Sequence, residues 1–165
     1  MRKRHFVLLY GLAVGLGACA TSSVVRSDAH IGNFPPVVFV CEHGAANSIV
    51  AAAYFNRLAD ERNLPIRAIA RGLTPQEELS KSALNGLHVD GLSPGLTKPI
   101  ALSQDEAHSA MRLVSFLPLP KGFADARSMI EWDDVPATGE GYDVARDRIV
   151  AHVKALVDEL ATKGN

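Results

Sequence analysis

The chain is expected to fold as an α/β domain of three layers, a four-stranded parallel sheet between two layers of helices. Two observations carry that expectation. Short β-branched runs alternate along the chain with longer segments of helical period, and the first run, PVVFV at 36–40, is apolar without interruption. A strand covered on both faces needs such a run, and alternating strands and helices build parallel sheets through crossover connections.

Each element has its own signal. Residues 47–62 read as a helix: Ile49, Val50, Ala52, Ala53, Tyr54 and Leu58 give a broad apolar face, and Asp60, Glu61 and Arg62 crowd the solvent end. PIRAIAR, 65–71, alternates as a second strand and breaks at Gly72. Thr74 reads as the cap of a second helix, with Pro75 at its first position and Glu77 and Glu78 in its first turn. LSPGLTKPIALS is a turn-rich loop, and SQDEAHSA is a short helix capped by Ser103. Residues 111–117 read as the third strand and 127–132 as the fourth. The last helix, 142–161, is the clearest, because Tyr142, Ala145, Ile149, Val153, Leu156 and Leu160 recur at steps of three and four. Ligands of such sheets bind beyond the carboxyl ends of the strands. Cys41 stands at the carboxyl end of the first one.

The 165 residues suffice for one domain, and the formal net charge of −1 gives no reason to expect a nucleic-acid partner. The N-terminus reads as a targeting segment: MRKRH is a positive n-region, and FVLLYGLAVGLGA is an apolar stretch short for a membrane span. It ends in LGAC, Leu16 to Cys19, which resembles the lipobox of bacterial lipoproteins. That divides the chain into a signal peptide (1–18), a lipidated tether (19–35) and a folded domain (36–165). Ordinary secretion, with cleavage at the small residues of ACA, and a plain N-terminal anchor helix are the competing readings. The lipobox reading implies a bacterial envelope location facing the periplasm, with a membrane partner through lipidated Cys19. Ala20, rather than Asp, after that cysteine would allow sorting to the outer membrane. Cys41 is then the one thiol left in the mature chain, and no intramolecular disulfide forms.

A loop between a strand and a helix presents backbone N–H groups without partners. Together with the helix dipole they attract anions. Glu42, His43, Gly44, Ala45, Ala46, Asn47 and Ser48 are therefore candidates for an oxyanion nest, with Cys41 as a nucleophile at its mouth in a thiolate-favouring field. The alternative is a buried, inert thiol.

VVFVCEHGAANSIVAAAYFNRLA resembles the active-site segment of the low-molecular-weight protein tyrosine phosphatases and the related thioredoxin-coupled arsenate reductases. Those read strand, Cys, five residues, Arg, Ser or Thr, then helix. IRAIARGLTP, GLSPGLTKPIALSQDEAHSAMRLVSF and EWDDVPATGEGYDVARDRIVAHVKALVDEL are similar to the later segments of the same superfamily, so that almost all of 36–161 is covered. The resemblance implies that Cys41 is the nucleophile, that the Ser48 hydroxyl supports its thiolate, and that His43 follows the arsenate reductase version. It implies a phosphate-like oxyanion or phosphorylated ligand and no cofactor.

Three positions depart from that pattern. The superfamily arginine is Asn47 here, and losing such a bidentate cation typically costs ~2–4 kcal/mol of transition-state stabilisation. The general-acid aspartate that follows the loop proline is Ala137, after Pro136. Gly44 replaces an asparagine at a position suited to positive φ. Asp134, just before the proline, substitutes as acid only if the loop shifts. Arg71 either leans its guanidinium over the Cys41 loop in compensation or is a solvated strand-end charge. His43 is either a proton partner of Cys41 or a cap on its loop. Trp132 reads as a packing anchor beside the site rim. Asp105, Glu106 and His108 share one short helix and read as solvated surface rather than metal ligands.

Three functions remain open on the sequence. The first is a phosphatase-like envelope lipoprotein with degenerate or weak activity that binds an oxyanion or partner at the Cys41 loop. The second is an active phosphoric monoester hydrolase or arsenate reductase-like enzyme using Cys41. The third is a structural lipoprotein with an inert thiol.

Overall fold

The computed structural model describes residues 34–123 and 129–163. Cys19 and the tether to position 33 lie outside the described residues, as does the start of the expected fourth strand. Strands β1 (Val37–Cys41), β2 (Ala68–Gly72), β3 (Arg112–Ser115) and β4 (Met129–Glu131) form one parallel sheet in the order β2-β1-β3-β4. Helices α1 (Asn47–Glu61), α2 (Lys81–Val89), α3 (Gln104–Ser109) and α4 (Tyr142–Lys163) complete it. This is the expected α/β architecture with a four-stranded parallel sheet.

Strand alternation sorts the two faces of β1. Val37 and Phe39 point into the larger core with Ile49, Val50 and Phe55 of α1 and Ile149 and Val153 of α4. Val38 and Val40 point the other way, into a smaller core with Leu113, Leu102 and Ala107 of α3. All four valine and phenylalanine side chains are fully buried, which is why the run contains no polar residue. The chain passes from β1 to β2 on one side and then crosses to β3 on the other. The crevice at the carboxyl end of β1 is therefore the switch point of the sheet.

The second helix starts later than Thr74 and Pro75 suggest. Ser80 caps it, accepting from the Ala83 N–H, while Thr74 Oγ1 donates instead to the Glu42 carboxylate at 2.5 Å. The expected Thr74 cap is thus corrected by a contact distant in sequence. Ser103 caps α3 in a full capping box with Glu106, as read from the sequence. Tyr54 of α1 and Tyr142 of α4 both donate to Asp90 Oδ2, at 2.7 and 2.6 Å, and tie three helices together at the end of α2. Burial, reinforced by the Asp90 hydrogen bond, pushes the Tyr54 hydroxyl up to about 12, so it stays a proton donor at neutral pH.

The segment after β2 is locked to the segment after β1 by glycine on both sides. Gly44 has φ +63°, and a Cβ there would lie 2.7 Å from the Gly72 nitrogen. A Cβ on Gly72 would lie 2.6 Å from the Gly44 nitrogen and 2.7 Å from the His43 carbonyl carbon. Neither backbone has room to retreat, because Gly72 bonds on its other side to Ile100 and Leu102. Gly72→Ala is therefore expected to lower unfolding free energy by about 1–3 kcal/mol in urea titration. Gly139→Ala, whose added methyl meets nothing within 4 Å, should stay within about 0.5 kcal/mol of the parent.

Candidate oxyanion site at the Cys41 loop

The site begins with a division of labour in the backbone between Cys41 and Ser48. Four of its carbonyls are used. Cys41 O accepts from Leu73 N, Glu42 O from Thr74 N, and Ala45 O from Ser80 N, at 3.2, 2.9 and 2.9 Å. The Ala46 carbonyl accepts from Ile49 and Val50 and opens α1. None of the hydrogen bonds among the described residues uses the main-chain N–H of any residue from Glu42 to Ser48. A loop with four carbonyls engaged by neighbouring segments and its N–H groups spare is a donor surface, set on the positive end of a 15-residue helix.

Cys41 lies at this surface, half-buried, with its Sγ 3.1 Å from the fully buried Ser48 Oγ. Both line up on the α1 side of β1, the side the alternation assigns to Val37 and Phe39. Above the loop lies a cavity of about 440 Å³. Cys41, His43 and Asn47 reach it from the loop; Phe116 and Leu117 wall it after β3; Val135 and Ala137 wall it from the segment before α4. Gln76 and Ser80 close the remaining side. Phe116 meets Trp132 edge-on at 5.7 Å, and Trp132 packs on Phe39 at 5.5 Å, so the wall is braced by the core. Trp132 is the packing anchor expected of it.

The Asn47 side chain is committed to the wall. Its Nδ2 donates to the Pro136 carbonyl and its Oδ1 accepts from the Thr138 N–H, both at 3.1 Å, and the residue is 8% exposed. Ser82 Oγ of α2 donates to the Thr138 carbonyl at 2.9 Å. The carboxamide is a clamp on the 135–139 wall, and what Asn47 offers the cavity is its main-chain N–H. His43 is likewise committed. Its Nδ1–H donates to the Thr74 carbonyl at 3.1 Å, which makes it a tie between the loop and the segment after β2.

Arg71 does not compensate for the missing cation. It is in register with Val40 and so faces the opposite side of the sheet from Cys41. There its Nε and Nη2 donate to Glu106 Oε1 at 3.0 and 2.6 Å, and Nη1 donates to the Ala70 carbonyl. Glu106, read from the sequence as solvated surface, is instead the partner of Arg71 as well as the capping-box residue of α3. Its carboxyl is held below the usual range by the Arg71 guanidinium.

Asp134 is not placed as a general acid. It does not line the cavity; its carboxylate turns to α4, where His152 Nε2 lies 2.8 Å from Oδ1 and Arg148 lies 3.4 Å from Oδ2. The His152 hydrogen bond holds its carboxyl below the ordinary value, the wrong direction for a group that must carry a proton near neutral pH. His152 also stacks on Trp132 at 4.8 Å. Several contributors escape sequence reading: Phe116, Leu117, Val135 and Gln76 as walls, and Ser82 and Thr138 as supports. Position after a strand at its carboxyl end was the available signal for Phe116 and Leu117.

No protein-family model matches the chain, and no curated protein matches it in sequence. Solved structures do match in fold. The crystal structure of YfkJ from Bacillus subtilis superposes with a TM-score of 0.72 at 16% identity, covering 81% of this chain and 99% of that one. An arsenate reductase in the phosphate binding state gives 0.63 at 16% identity over 76% and 98%. The tyrosine phosphatase Wzb from Escherichia coli K30, in complex with sulphate, gives 0.61 at 15% identity over 77% and 99%. The fold is thus that of the low-molecular-weight tyrosine phosphatases and arsenate reductases, as the sequence resemblance implies.

The Asn47 clamp makes a direct prediction. Asn47→Ala leaves the Thr138 N–H and Pro136 carbonyl without partners in a buried place and should cost about 1–3 kcal/mol in urea unfolding. Proteolysis under native conditions should then cut within 133–141 faster than in the parent.

Proposed function

We propose that this chain is a lipid-anchored envelope protein whose phosphatase-like domain binds a phosphate-like oxyanion at the Cys41 loop, with slow or absent turnover. The observation that carries the binding half is the set of unpartnered main-chain N–H groups from Glu42 to Ser48 beneath a cavity that contains the Cys41 sulfur. Neighbours in fold held phosphate or sulphate when their structures were solved, which supports a tetrahedral anion as the guest.

Weak chemistry follows from the side chains around that cavity. A phosphoryl ester seated in the nest would present its phosphorus to Cys41, and the amides and helix dipole would share the oxygens' charge. Two aids are missing among the described lining residues. No arginine or lysine neutralises the equatorial oxygens, at a typical cost of ~2–4 kcal/mol. No aspartate among them lines the cavity, and its one carboxyl group there, Glu42, is exposed at the mouth and held by Thr74 Oγ1, so general-acid help, worth roughly a hundredfold to ten-thousandfold, has no placed donor. Together they remove most of what separates a catalyst from a binding site.

A second reading, an active thiol enzyme, draws on the 3.1 Å Cys41–Ser48 contact and the open access to the sulfur. The third, an inert thiol in a structural lipoprotein, sits poorly with a cysteine that lines a cavity. Two experiments separate them. Inorganic sulfate or phosphate should slow alkylation of Cys41 by iodoacetamide in a saturable way, and hydrolysis of p-nitrophenyl phosphate should be the same in the parent and in Cys41→Ser. Turnover that is well above background and lost in Cys41→Ser would establish the enzyme. Alkylation indifferent to either anion would remove the oxyanion site.

The anchor rests on LGAC and the apolar stretch before it. In a bacterial host, radioactive palmitate should label the full chain and fail to label Cys19→Ala. Labelling that survives the substitution refutes lipidation at Cys19.

A further inference from the structure

The charges around the cavity select among oxyanions. Among the described lining residues the one formally charged side chain is Glu42, an acid, exposed at the mouth with its Oε1 held by Thr74 Oγ1. Two arginines near the loop or its wall are spent elsewhere: Arg71 on Glu106 across the sheet, Arg148 on Asp134 beside α4. Lys81 follows the lining residue Ser80 but does not itself line the cavity. The position from which the superfamily presents a guanidinium holds a carboxamide bonded on both ends to the wall. Among the described lining residues, what remains to receive an anion is the main-chain dipoles and a helix terminus worth about half a positive charge, with the polar side chains of His43, Gln76 and Ser80 at the edge.

We infer that the site takes singly charged oxyanions carrying an apolar arm, sulfate monoesters or phosphate diesters, in preference to doubly charged phosphate monoesters. This rests on the oxyanion reading above and narrows it. The physical reason is a difference in scaling. Removing an ion from water costs in proportion to the square of its charge, about fourfold more for a dianion than for a monoanion, whereas attraction to fixed dipoles grows only linearly. A guanidinium offsets the second charge; dipoles equivalent to half a charge do not. The Glu42 carboxylate at the mouth repels the dianion twice as strongly as well. The walls specify the arm: Phe116, Leu117, Val135 and Ala137 bury apolar surface and supply no further donor to a second charge.

Three probes of one shape class separate the charge from the rest. Phenyl phosphate is a dianion at pH 8, because its second ionisation lies near 6. Phenyl sulfate and methyl phenyl phosphate are monoanions at the same pH. Isothermal titration of the full folded domain should show both monoanions binding at least about tenfold more tightly than phenyl phosphate, an order set by the missing charge pair. In Glu42→Gln, an exposed change that leaves the fold intact, the gap should narrow severalfold through a gain for the dianion. Phenyl phosphate binding as tightly as the monoanions, or more so, overturns the charge preference while leaving the oxyanion site standing. Absence of binding by all three, with alkylation of Cys41 unaffected by any of them, overturns the site itself.

Discussion

Everything at this site depends on which way the peptide planes between Cys41 and Ser48 are turned. The segment running from Leu73 through Ser80 supplies three N–H donors, and they draw the carbonyls of Cys41, Glu42 and Ala45 outward. With those acceptors fixed, the N–H groups of the loop are left without protein partners among the described residues, beside the cavity that the loop lines. The arrangement is possible because two glycines let the strand-end backbones touch: Gly44 takes a left-handed conformation that L side chains rarely adopt, and Gly72 leaves room for it. A purely local sequence preference would not produce a run of spare donors, since unpaired backbone groups are costly when removed from water. The fold holds them in place, which is the ground for proposing an anion as their partner.

Beside that donor surface, one side chain departs from the role the sequence resemblance implies. Asn47 sits where the resemblance places an arginine, yet it serves the wall rather than the guest. Its two hydrogen bonds, with that of Ser82 on the Thr138 carbonyl, anchor the 135–139 segment to α1 and α2. Asp134, just before that segment, is drawn to His152 and Arg148 on α4. The Asn47 and Asp134 side chains thus belong to the scaffold, while the sulfur of Cys41 lines the cavity.

Much of this was legible in the residues. The uninterrupted Val37–Val40 run announced a strand buried on both faces, the spacing from Tyr142 to Leu160 announced α4, and Ser103 with Glu106 announced the cap of α3. The loop's place at the carboxyl end of β1 followed from the alternation of strands and helices. Other features were set by contacts that sequence does not display. Thr74 lost its expected cap role because Glu42, 32 residues earlier, takes its hydroxyl. Arg71 was readable in principle: neighbours on a strand alternate faces, and a residue in register with Val40 cannot share a side with Cys41. Asn47 was not readable, because its partners lie about 90 positions away, in a loop whose approach depends on the packing of α4.

The central claim is that the Glu42–Ser48 amides form the receptor for a tetrahedral anion. Backbone amide resonances report this directly. On titration with sulfate the ¹⁵N–¹H signals of these residues should move together along one saturable curve, shared with the Cys41 signal, while those of α3 on the far face stay still. Signals from Glu42 to Ser48 that remain unmoved at saturating sulfate would contradict the account.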